Sequence, residues 1–303
     1  MKIVFLGTPE FSVMSLDAII QAGHEVVAVV TMPDKPAGRG MQLQQSAVKK
    51  YALEHQLKVL QPEKLKDEKF ISELRELNAD IQVVIAFRML PEVVWSMPKY
   101  GTINLHASLL PDYRGAAPIN WAIINGDNKS GVCTFLLKHE IDTGDIILKQ
   151  EVEILETTTA GELHDILMHV GSEVVVKSLA MIESGNYTSE AQPKVAGKLA
   201  PKIFKNDCQI DWSKSCSEIY NLIRGLSPYP AAHSLLHGKG VKIYKVEKEI
   251  TNHHHEIGKA ISDGKTFLKF SCKDGYISVK ELQLEGKKRM LVDEFLRGYK
   301  WID

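Results

Sequence analysis

The chain is poor in the features that announce several common protein classes. It has no Cys-x-x-Cys pair. Cys133, Cys208, Cys216 and Cys272 are scattered over 303 residues, too sparse for a disulfide framework and wrongly spaced for a zinc finger. They are expected as reduced, buried small residues. No apolar run reaches the ~20 residues of a membrane-spanning helix, and Met1-Lys-Ile-Val-Phe-Leu-Gly7 has too short an apolar core for a signal peptide. A cytoplasmic protein with no membrane contact is the expectation. The first strand runs into Gly7-Thr-Pro-Glu10 rather than Gly-x-Gly-x-x-Gly. Pro9 there lacks the N–H that would cradle a pyrophosphate, which argues against a nicotinamide dinucleotide. No serine or cysteine stands in a nucleophile elbow, so no covalent intermediate is required. His253-His254-His255 has no Cys, Asp or Glu at a finger-like spacing, and consecutive residues on extended chain point to alternate sides. No metal centre is expected.

What is present reads as two domains. Residues 1–200 alternate apolar strands (2–7, 24–31, 58–60, 81–86, 102–105, 132–138, 146–152) with helical periodicity (11–22, 48–55, 70–77, 117–125, 160–184). A Pro- and Gly-rich loop is expected at 32–45. Such alternation implies an α/β fold with a doubly wound, mostly parallel, Rossmann-like sheet. Residues 207–303 change character, with short alternating strands, Asp263-Gly and Asp274-Gly turns, and a closing helix at 292–297. A small OB-like β-barrel, of the kind that often binds oligonucleotides, is expected there. The division is therefore 1–188, a polar linker at 189–206 with few packed contacts, and 207–303. Residues 201–303 hold 18 Lys and Arg against 13 Asp and Glu, a balance of +5, against −6 for the rest. A basic domain joined to an acidic one points to a polyanionic partner.

The chemistry concentrates in Gly101-Thr-Ile-Asn104-Leu-His106-Ala-Ser108-Leu-Leu-Pro111. Asn104 and His106, two apart on a strand, leave the same face. Asp142 follows in the polar turn Glu140-Ile-Asp-Thr-Gly144. An amide donor, an imidazole and a carboxylate are the parts needed to stabilise an oxyanion and move a proton.

Asn104-x-His-x-Ser-Leu-Leu-Pro111, then Tyr113-Arg-Gly-Ala-Ala-Pro118, then Asp142-Thr-Gly-Asp145, resembles the 10-formyltetrahydrofolate-dependent formyltransferase superfamily. Gly7-Thr-Pro-x-Phe11, Pro33-Asp-Lys-Pro-Ala-Gly-Arg-Gly40 and Ile210-Asp-Trp212 narrow the likeness to its methionyl-tRNA branch, over the whole chain and in order. The resemblance implies formyl transfer from 10-formyltetrahydrofolate to the α-amine of initiator methionyl-tRNA, with Asn104, His106 and Asp142 catalytic. It implies a folate site at Ser108, Leu109, Leu110 and Pro111, with Phe87, Met89, Leu90 and Ile141. It also implies that the Arg39 loop meets the tRNA acceptor end. Lys35, Lys205, Lys242, Lys245 and Lys280 are further candidates for tRNA contact, and a monomer is expected. The chain departs from the pattern in two places. Met41 and Gln42 follow Gly40 where relatives are often basic, and Ala86-Phe-Arg-Met-Leu-Pro91 replaces a longer glycine-containing segment. Two alternatives remain open at this point. One is a folate-dependent formyltransferase acting on a small amine such as glycinamide ribonucleotide or an amino-sugar nucleotide. The other is a catalytically silent RNA-binding relative.

Overall fold

The computed structural model describes residues 1–37, 42–193 and 197–301. They form two compact units. One comprises residues 1–115, 130–152 and 164–199, the other 116–129, 153–163 and 200–303.

Strand β1 (Lys2–Gly7) leads into α1 (Glu10–Gln21), and β2 (Glu25–Val30) follows. A hairpin of β3 (Lys35–Ala37) and β4 (Gln42–Gln44) precedes α2 (Ala47–Glu54), β5 (Val59–Leu60), α3 (Glu68–Glu76) and β6 (Ile81–Ile85). Next come α4 (Glu92–Trp95), β7 (Thr102–His106), the two-residue β8 (Arg114–Gly115) and α5 (Pro118–Ile124). Then follow β9 (Lys129–Leu136), β10 (Ile146–Glu153) and the long α6 (Ala160–Ser184). Seven of these strands form one sheet in the order β10-β9-β7-β6-β1-β2-β5. The pairs from β5 through β7 are parallel, and β9 joins β7 antiparallel. Ile3, Val4, Phe5 and Leu6 of β1 are all fully buried, as expected for a sheet covered on both faces. Ser46 and Asp67 cap α2 and α3 by accepting from the backbone N–H groups of their first turns.

The second unit continues past β11 (Leu199–Ala200) with a 3-10 turn at Lys205–Cys208, α7 (Cys216–Leu226), β12 (Ala232–Leu236) and β13 (Lys239–Ile250). It ends with β14 (Ala260–Ser262), β15 (Leu268–Cys272), β16 (Gly275–Leu284), β17 (Met290–Leu291) and α8 (Val292–Arg297). The sheet order is β12-β13-β16-β15-β14, with β17 also on β16. The expected small barrel is thus an antiparallel half-barrel sheet. Its core gathers Ile219, Ile223 and Leu226 of α7 with Ile243, Phe270, Ile277 and Leu282. Ser215 and Glu218 form a capping box that starts α7. In the same unit Asn120 Nδ2 of α5 donates to Gly225 O of α7 at 2.8 Å. A Cβ at Gly225 would fall 2.6 Å from Ile124, so glycine lets these two helices approach closely.

Two expectations need correction, and one strand lay outside them. The loop at 32–45 contains the β3–β4 hairpin, which tolerates Pro36 because it is a two-stranded edge structure. Strand β12 lacks the apolar alternation that would announce it, since His233 and Ser234 sit mid-strand. The described residues of 189–206 are not a loosely packed connection. Glu190 exchanges backbone hydrogen bonds with Ile146 at 2.8 Å each, and Lys198 O accepts from Tyr113 N at 2.6 Å. Lys198 N donates to Asp112 Oδ1 at 3.0 Å. Polar composition there reflects backbone anchoring rather than slack.

Candidate active site

Strand β7 carries Asn104 and His106 to the carboxyl edge of the parallel strands. Asn104 lies in register between Val84 of β6 and Phe135 of β9, and His106 beside Cys133. Laterally paired residues share a face, so both side chains stand on the side of Val84, Phe135 and Cys133. Leu105 points the other way, onto α6. A Cβ at Gly171 would meet Leu105 Cδ2 at 2.7 Å, so a glycine lets that helix lie close beneath the strand.

His106 is buried, and its Nε2 is 2.8 Å from the Tyr113 carbonyl. A carbonyl only accepts, so Nε2 carries a hydrogen. Nδ1 is then the nitrogen whose proton can come and go. It stands 3.9 Å from Asp142 Oδ2, close enough for charge attraction and too far for a direct hydrogen bond. Asp142 Oδ2 also accepts from Gly115 N at 3.0 Å. The turn that bears Asp142 is sterically set. A Cβ on Gly144 would lie 1.6 Å from Leu136 O, so only glycine fits. Ala86, Tyr113 and Asp142 all have left-handed backbone, with φ of 47°, 61° and 54°. Each such residue costs roughly 1–2 kcal/mol, and strain of this kind collects at functional sites.

The expected folate residues divide by environment. The buried Ser108 hydroxyl donates to Asp112 O at 2.6 Å and closes the turn after β7. Leu109 fills the space left by Gly131. Leu110 is core, packed with Cys133, Phe135 and Ile146, and Pro111 follows a cis peptide bond. After β6, Leu90 is core and Phe87 flanks the same cluster. Met89 and Ile141 are the exposed apolar side chains of the set. At the same edge Thr8 Oγ1 and Arg88 Nε are buried without a hydrogen-bond partner. Arg88 otherwise donates to the carbonyls of Glu63, at 2.7 Å, and Pro62. Burial pushes its guanidinium below the usual range.

The N- and C-terminal formyl transferase models match residues 1–179 and 202–300. The chain belongs to the formyl transferase family. A methionyl-tRNA formyltransferase of Bacteroides fragilis is 54% identical over 308 residues, covering 99% of this chain and 95% of that protein. One from Flavobacterium johnsoniae is 53% identical over 308 residues, covering 100% and 98%. Among solved structures, an N-formyltransferase of Helicobacter canadensis, in complex with folinic acid and dTDP-3-aminofucose, has a TM-score of 0.69 at 22% identity. That match covers 96% of this chain and all of the other. At that identity the likeness is one of fold.

Within this formyl transferase the candidate tRNA residues lie as follows. Arg39 is outside the described residues. Lys35 is exposed in β3, and Lys205 is exposed in the 3-10 turn. Lys242 and Lys245 are both exposed on β13, although three positions apart they would leave opposite faces of a regular strand. A register shift between Ile243 and Val246 keeps both outside. Lys280 is held by Glu247 at 2.7 Å. Sequence reasoning missed Tyr113 and Gly115, which act through backbone groups. It also missed Gln192, whose amide Nε2 donates to the carbonyls of Asp142 and Gly144. Nothing in the local pattern of Gln192 signals this role.

Proposed function

We propose that this formyl transferase moves the formyl group of 10-formyltetrahydrofolate onto the α-amine of initiator methionyl-tRNA in the bacterial cytoplasm. Full-length likeness above 50% to relatives bearing that activity in their names supports the acceptor. The observation that carries the chemistry is the approach of His106 to Asp142, with Asn104 two residues before His106 on the same face of β7. Among the described residues no helix is long and apolar enough to cross a membrane.

The neutral amine attacks the formyl carbon directly. A free α-amine titrates near pH ~8 and lower once its carboxyl is esterified, so no strong base is needed. The new C–N bond forms as the carbonyl oxygen gains charge, which the Asn104 amide stabilises together with the His106 imidazole when Nδ1 carries a hydrogen. Losing one such donor costs ~3 kcal/mol of barrier. The bond from carbon to folate nitrogen then breaks. The amine's proton passes by way of the Asp142 carboxylate, through water, to that leaving nitrogen, while the His106 ring stays on the oxyanion. The Tyr113 carbonyl keeps Nε2 out of this exchange. The folate lies along the turns after β6 and β7. Ser108, Leu110 and Leu90 shape its walls from behind, while Leu109, Pro111, Phe87, Met89 and Ile141 face it.

The tRNA meets exposed cations. Lys205, Lys242 and Lys245 contact phosphates, which set orientation and carry little sequence information. Arg39, with Lys35 of β3, acts nearer the acceptor end. Lys202 stacks on exposed Phe204, next to Lys205, and adds a cation–aromatic pair to this surface. The test is formyl transfer from 10-formyltetrahydrofolate to charged initiator tRNA, an amino-sugar nucleotide and glycinamide ribonucleotide in parallel. Transfer to the tRNA alone is expected. Transfer only to a small amine overturns the acceptor, and no transfer to any leaves an RNA-binding relative.

A further inference from the structure

We propose that Gln192 is a positioning residue that locks together the two turns orienting His106 and Asp142. This rests on the reading of Asp142 as the proton-handling carboxylate.

Gln192 is half-buried and lies in no helix or strand. Its Nε2 donates to Asp142 O at 3.0 Å and Gly144 O at 2.7 Å. Its Oε1 accepts from Arg114 Nε at 3.2 Å and Arg114 Nη2 at 2.8 Å. An amide has two donor hydrogens and two acceptor lone pairs, and all are used. The orientation is therefore fixed. A flipped amide would set oxygen against two carbonyls and NH2 against a guanidinium.

The residues so joined are those that hold the catalytic pair. Arg114 stands between Tyr113, whose carbonyl holds His106 Nε2, and Gly115, whose N–H holds Asp142 Oδ2. Asp142 itself is left-handed and needs its carbonyl pinned as well as its carboxylate. One side chain thus braces the 113–115 turn against the 142–144 turn. The backbone exchange of Glu190 with Ile146, and the bond from Arg114 Nη2 to Pro193 O at 3.1 Å, hold Gln192 from both sides. Gln192 reaches no reacting atom in this role. It sets the 3.9 Å spacing between His106 and Asp142.

Gln192→Glu keeps the shape and the acceptor for Arg114 but removes both donors to the 142–144 turn. We expect kcat to fall by ~10–100-fold, the scale of a small misplacement of catalytic groups. Folate Kd and tRNA KM should stay within about twofold. The added negative charge should also move the acidic limb of the kcat/KM profile to higher pH, because it favours protonated neighbours. Gln192→Leu lacks the donors without adding charge, so kcat should fall while the pH profile stays. A purely structural role would instead lower Tm and raise folate Kd with no pH signature. Asp142→Asn runs alongside as the control for the underlying reading. If Asp142→Asn retains wild-type turnover, the proton-handling assignment fails. If Asp142→Asn is crippled while both Gln192 variants keep wild-type kcat, the brace is overturned. Loss of kcat in both Gln192 variants with unchanged Kd and the pH shift only in the glutamate supports it.

Discussion

His106 Nδ1 faces Asp142 Oδ2 across 3.9 Å, while the Nε2 of the same ring is tied to Tyr113 O at 2.8 Å. The ring is held at one nitrogen and free at the other. In the proposed mechanism that asymmetry gives the two nitrogens different work, one structural and one chemical. His106→Ala and Asn104→Ala should each lower kcat by ~100–1,000-fold, the usual effect of removing an oxyanion donor. Folate affinity should barely move, because the charge they stabilise exists mainly in the transition state. Single-turnover formylation beside equilibrium folate binding separates the two quantities.

Gly144→Ala should be among the most damaging conservative changes in the chain. Its Cβ would lie 1.6 Å from Leu136 O, so the 142–144 turn has to shift and take Asp142 with it. We expect a loss of at least several-fold in kcat with a Tm lower by several degrees, on the order of 1–3 kcal/mol of overpacking and displaced backbone. Wild-type turnover in Gly144→Ala would show that the turn tolerates movement.

The candidate tRNA lysines should not behave alike. Lys242→Ala with Lys245→Ala should flatten the salt dependence of tRNA binding by about two phosphates' worth. Lys280→Ala should change it less, because Glu247 already neutralises Lys280 at 2.7 Å. Arg39→Ala should cut formylation of tRNA strongly and leave folate binding alone. Filter binding across a salt series, with all variants in one buffer, reads each slope.

The thiols should be quiet. Burial pushes the Cys133 thiol up from an ordinary 9.0 to about 11, and burial raises Cys216 and Cys208 as well. A thiol raised in the folded state contributes stability that is full below pH 9 and is lost as pH rises through about 11. Native protein should therefore resist alkylation at pH 8, and Tm should fall between pH 9 and 11. The Cys133→Ala variant should show a shallower fall. Rapid labelling of Cys133 in folded protein at pH 8 would contradict its burial.

Deletion of residues 201–303 should leave a weakened fragment. Residues 116–129 and 153–163 belong to the same compact unit as the C-terminal sheet, and α5 would lose the Asn120 bond to Gly225. Thr158 O would lose the Arg224 guanidinium at 3.0 Å. A broad or early melting transition is expected for the fragment, and cooperative unfolding at the full-length Tm would contradict it.

Much of the fold was legible because burial leaves a period in the sequence. The run Ile3–Leu6 and the helix Ala160–Ser184 follow from apolar spacing alone. Asn104 and His106 were legible as a pair because strand geometry puts them on one face. What stayed hidden depends on contacts distant in sequence or on the backbone. Gln192 bonds to carbonyls about fifty residues away, and Tyr113 and Gly115 act through main-chain atoms that any residue possesses. Strand β12 and the β3–β4 hairpin were missed because Pro36, His233 and Ser234 interrupt the alternation that marks a strand.

The chain crosses between its two compact units five times, and this has a bearing on its birth at the ribosome. Helix α5 and residues 153–163 emerge well before α7, the helix against which α5 rests. Until then Ile124 of α5 lacks the C-terminal core it packs against, and nascent chains with apolar surface uncovered are prone to sticking and to chaperone capture. The last hundred residues therefore finish a structure begun far upstream. Pausing of translation between residues 164 and 226 should be costlier to yield than pausing within the strands that follow.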